Sequence, residues 1–120
     1  MREPRHPYVA EATIVLADGT DVDAVGAAVT AALCGHWEHE GGCRWPHNNA
    51  VRPADPGTSF RTLFVAPPHQ EREVRERIDR ALRASSLWTL TSIGARALTA
   101  DEHDLAERLA RTPPPGADSA

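Results

Sequence analysis

Three β-branched and aromatic stretches are each followed by a segment of helical periodicity, and this alternation is the strongest constraint on what the chain can fold into. Y-V-A-E-A-T-I-V-L-A (8–17) ends at Asp18-Gly19 and reads as a largely buried strand closed by a turn. Val22, Val25, Val29 and Leu33 then recur at helical spacing over 21–34, with Thr20 as the expected N-cap and Gly35 as the expected closing residue. S-F-R-T-L-F-V-A (59–66) is a second strand. It precedes a helix expected over 69–84, with Val74, Ile78, Ala81 and Leu82 inward and Glu/Arg pairs at i,i+4 outward. L-W-T-L-T-S-I-G-A-R-A-L (87–98) is a further strand, with Gly94 as its expected bulge or close approach. Thr99 to Glu102 forms a capping box that opens a short helix to about residue 111.

Between 34 and 57 the chain is polar, with Pro46, Pro53, Pro56 and the Gly41-Gly42 pair. Only the piece near Ala50-Val51-Arg52 looks able to pair as a strand, and Asp55-Pro56-Gly57 marks a hairpin turn. The resulting order, β-α-(β)-β-α-β-α, implies an α+β fold. The expected form is a ferredoxin-like β-α-β-β-α-β plait, an antiparallel sheet with two helices on one face, plus a short C-terminal helix. A chain of 120 residues buries one core, so a single domain is expected over 1–111. T-P-P-P-G-A-D-S-A at 112–120 offers it nothing apolar and is expected to be a disordered tail. The open sheet face is where such a fold would dimerise or take a ligand, and the architecture by itself selects no chemistry.

The chemistry is concentrated elsewhere. C-G-H-W-E-H-E-G-G-C-R-W-P-H, residues 34–47, holds both cysteines and three of the six histidines, where chance would place about one of the eight. Thiolate and imidazole are the donors that zinc prefers, four in a structural site and three plus water in a catalytic one. Cys34, His36, His39, Cys43 and His47 are therefore the candidate ligands, with the two glycines permitting the loop to reverse. With four of them engaged, zinc would order a loop too polar to order itself, and the role would be interaction or small-ligand binding. With three engaged, Glu38 or Glu40 is the candidate general base of a metal-dependent enzyme, and Trp37, Arg44, Trp45, Asn48 and Asn49 are the candidate pocket residues. A Cys34–Cys43 disulfide and a metal-free dimeric ligand-binding domain are the alternatives. So is a bland reading, in which the aromatics merely anchor the loop to the core.

The spacing C-x-H-x2-H-x3-C-x3-H lacks paired C-x2-C motifs. His36-Trp37-Glu38 has the H-x-E of zinc deaminases without the P-C-x-x-C they require. No H-E-x-x-H, phosphate-binding G-x-x-x-x-G-K or G-x-S-x-G elbow occurs. A net charge of −4 argues against nucleic acid as a partner, and the absence of a long apolar run argues against a membrane span. The expected location is the cytoplasm, where cysteines stay reduced. The alternating charges of residues 71–80 read as a solvated helix face.

Overall fold

A computed structural model describes residues 4–34 and 44–111. The elements are β1 (His6–Leu16), α1 (Asp23–Cys34), β2 (His47–Pro53), β3 (Thr58–Ala66), a 3-10 turn (Pro68–Gln70), α2 (Glu71–Ala84), β4 (Trp88–Arg96) and α3 (Ala100–Ala110). The strands form one sheet in the order β2-β3-β1-β4, and all three neighbouring pairs are antiparallel. An α+β fold with a four-stranded antiparallel sheet and three helices is what the periodicities imply. No helix among the described residues is long and apolar enough to cross a membrane.

Period-two alternation in the central strands sorts side chains between two layers. Ala10, Ala12 and Ile14 of β1 and Phe60 and Phe64 of β3 face the helical pair. There they join Val25, Val29 and Leu33 of α1, Val74, Ile78 and Leu82 of α2, and Trp88 in the main core. Val9 and Leu63 face the other way and are covered by α3, through Ala106 and the half-buried Leu105 and Leu109. The face expected to be open for a second copy or a ligand is thus crossed by a helix over β3 and β1.

Polar contacts hold α3 in place. Arg5 donates from Nη1 to the Ala110 carbonyl at 3.4 Å, and the capping box forms as expected: Thr99 Oγ1 accepts from the Glu102 amide while the Glu102 carboxylate accepts from the Thr99 amide at 2.8 Å.

Three local expectations are corrected. Thr20 does not cap α1: its hydroxyl donates to the Leu87 carbonyl at 3.2 Å, tying the β1–α1 turn to β4. Asp21 takes the capping role by accepting from the Asp23 amide at 2.9 Å. The irregularity in β4 does not fall at Gly94, which pairs normally with Glu11. It lies at Thr91, the extra residue where the register with β1 shifts, and the Thr91 hydroxyl donates to the Thr13 carbonyl at 3.0 Å. Strand β2 starts at His47, three residues before the apolar piece near Ala50. The expected hairpin is present, with Pro53 opposite Thr58. Its Gly57 has φ +89°, and a Cβ there would collide with the carbonyl oxygen of Ile14.

Candidate functional site

The two described ends of the Cys/His segment meet beside α1. Gly26, Thr30 and Cys34 recur every four residues and share one stripe of the helix, while His47 and Asn49, two apart on β2, turn the same way and face that stripe. A continuous polar chain links them. The Thr62 hydroxyl of β3 donates to Asn49 Oδ1 at 2.9 Å, and Asn49 Nδ2 donates to the Gly26 carbonyl at 3.1 Å and to Thr30 Oγ1 at 3.2 Å. Thr30 Oγ1 lies 3.0 Å from His47 Nε2, and His47 Nδ1 lies 3.0 Å from the Trp45 carbonyl. Cys34 Sγ is 3.9 Å from that same Nδ1.

Because a carbonyl can only accept, the bond to Trp45 puts the imidazole proton on Nδ1, leaving Nε2 to accept from the Thr30 hydroxyl. Burial lowers the His47 pKa below the ordinary 6.5, opposed in part by the hydrogen bond to the Trp45 carbonyl. The ring is thus held neutral in one tautomer. Thr62 is wholly buried, and no buried side-chain nitrogen or oxygen among the described residues lacks a partner.

The structure therefore brings Cys34 and His47 together. It separates the two asparagines, since Asn48 is exposed on the opposite face of β2 while Asn49 spends both amide protons and its oxygen within the fold. Trp45 is 1% exposed. Its Nε1 donates to Gln70 Oε1 at 2.8 Å, and the guanidiniums of Arg44 and Arg77 lie over its ring, at 4.4 and 4.9 Å from the centroid. It anchors the segment to the core. Cys34 is disulfide-bonded. His36, Trp37, Glu38, His39, Glu40 and Cys43 lie outside the described residues, and among the described residues no three His, Cys, Asp or Glu side chains stand together as a metal site.

Two features escape the sequence reading. On the α3 side of the sheet, the Arg61 guanidinium donates to both carboxylate oxygens of Glu102, from Nε and Nη2 at 2.7 Å each. It also donates to Glu11 at 2.9 Å and to the Ala97 carbonyl at 2.8 Å. These bonds hold the Glu102 carboxyl down at about 2 and raise the Arg61 pKa. An arginine alternating with Phe60 and Thr62 in a β-strand is the signal that marks it. The second feature is a groove between α2 and β4, lined on one wall by the charged run of α2 that reads in sequence as merely solvated.

No protein-family model, curated protein or solved structure matches the chain, so the reading of the site rests on its own geometry.

Proposed function

We propose that the reduced chain is a small metal-binding protein that holds one transition metal, zinc by the chemistry of its donors, at the base of the loop after α1. The ligands in this reading are Cys34, Cys43, His47 and one of His36 or His39. The observation that carries it is the 3.9 Å approach of Cys34 Sγ to His47 Nδ1 from positions thirteen residues apart. Zn–S and Zn–N bonds of about 2.3 and 2.0–2.1 Å around a tetrahedral ion place two such donors about 3.6 Å apart.

Metal binding at Nδ1 requires the proton to sit on Nε2, where Thr30 Oγ1 can accept it. Donating the second ring N–H to a fixed oxygen is how metal-binding histidines are ordinarily oriented. Thiolates are the ligands, so the disulfide on Cys34 and the metal exclude one another, and the reading belongs to a reducing compartment such as the cytoplasm. Four protein ligands make the ion structural, ordering a segment for interaction or small-ligand binding. The three-ligand enzyme, with Glu38 or Glu40 as base, finds less support, because Asn49 and the Trp45 ring nitrogen are already engaged.

We propose the ferredoxin-like plait as the architecture. Read from the other edge, the strand order is β4-β1-β3-β2; with α1 and α2 packed on one face, this supports the ferredoxin-like plait.

Elemental analysis of protein purified under reductant, as wild type, Cys43→Ser and His47→Ala, tests the metal. One zinc per chain in the wild type, lost in both variants while circular dichroism shows each folded, is the expected result. A reduced, folded wild type without metal overturns it.

A further inference from the structure

The groove between α2 and β4 encloses about 720 Å³, within the range of small-ligand sites. It exists because the sheet presents small residues beneath α2. Ala10 and Ala95 sit opposite each other across β1 and β4, and with Ile93 they leave an apolar floor that larger side chains would have filled. The wall is charged and mostly self-compensated: Arg75 pairs with Glu71 at 2.8 Å, Arg72 with Glu76 at 3.3 Å and Arg83 with Asp79 at 3.0 Å. Arg80 also lines the groove and makes no ion pair among the described residues. The lining thus carries one uncompensated positive charge on a chain whose net charge is −4.

We infer that this groove binds a small amphipathic anion, an aliphatic or aromatic carboxylate whose apolar body lies on Ala10, Ile93 and Ala95 and whose head pairs with Arg80. Guanidinium binds carboxylate with charge-assisted hydrogen bonds, and the apolar floor gives a fully hydrophilic anion nothing to bury. The site is separate from the Cys/His segment and does not depend on a metal.

Octanoate, with 1-octanol as its neutral counterpart, is the probe, read by amide chemical shifts of the full chain. Saturable shifts at Arg80 and Ile93 to Ala95 are expected, with octanoate binding more tightly than octanol. Arg80→Gln, at an exposed position, weakens octanoate about tenfold, the worth of one lost charge-assisted contact, and leaves octanol unchanged. Ala95→Trp, also exposed, fills the groove and removes both. Equal affinity for octanoate and octanol would overturn the anionic class. Unchanged octanoate binding in a folded Ala95→Trp variant, or shifts that never saturate, would overturn the site.

Discussion

Arg61 and Thr62 are neighbours in β3 and organise two polar networks of opposite kind. Thr62 points toward α1 and starts a neutral chain through Asn49 and Thr30 to His47; Arg61 points toward α3 and gathers Glu11 and Glu102 around a charge. The neutral chain starts at the wholly buried Thr62 and runs through the half-buried Asn49, Thr30 and His47 against α1, so its innermost hydroxyl depends on a protein acceptor. The ionic cluster stays partly wet, with side chains 14 to 29% exposed, so solvent can compensate some of what a mutation removes. One strand thus uses a hydroxyl where burial is complete and a guanidinium where it is not.

The largest expected effect comes from breaking the neutral side. Asn49→Ala leaves the wholly buried Thr62 hydroxyl without its acceptor and removes the amide's bonds to the Gly26 carbonyl and Thr30 Oγ1. A loss of about 2–4 kcal/mol is expected in urea unfolding, from about 1 kcal/mol net per bond and about 1–3 kcal/mol for the orphaned hydroxyl. Arg61→Ala is expected to cost less, about 1.5–3 kcal/mol, the range of hydrogen bonds to charged groups. Its signature is local: amide exchange in α3 rises while α1 keeps its protection. A variant that loosens both helices equally would show that the two networks are one.

Acid separates them next. His47 has a lowered pKa when folded, so it contributes stability fully above 6.5, and that contribution is lost as pH falls below this value. Glu102, lowered from 4.5 to about 2, keeps its contribution down to 4.5 and loses it between there and about 2. Denaturation midpoints across about pH 2 to 8 should show both steps. His47→Gln is expected to erase the upper one and spare the lower. The smallest effect is the control. Arg72→Ala breaks an i,i+4 pair whose arginine is 92% exposed, and a change below about 0.5 kcal/mol is expected.

Much of the layout is readable from residue order. Val25, Val29 and Leu33, then Val74, Ile78 and Leu82, mark the inner faces of α1 and α2, and Thr99 with Glu102 marks the start of α3. Strand β2 is harder to see because its inward residues are His47 and Asn49. A search for apolar alternation passes over two polar side chains whose burial is made tolerable only by Thr30 and Thr62, which are distant in sequence. Thr20 resembles a cap because only the folded chain brings the Leu87 carbonyl within its reach. Of the candidate metal donors, the described structure joins Cys34 and His47; that pairing follows from α1 packing beside β2, a tertiary fact that spacing does not encode.

The close fit of Gly57 against β1 has a practical corollary. Gly19, also at positive φ, has open space around its absent side chain, whereas the tip at 57 is wedged against the Ile14 backbone. A fluorophore, affinity peptide or grafted epitope therefore belongs in the 18–19 turn, and lengthening the 54–57 turn should pry the hairpin away from the central strand.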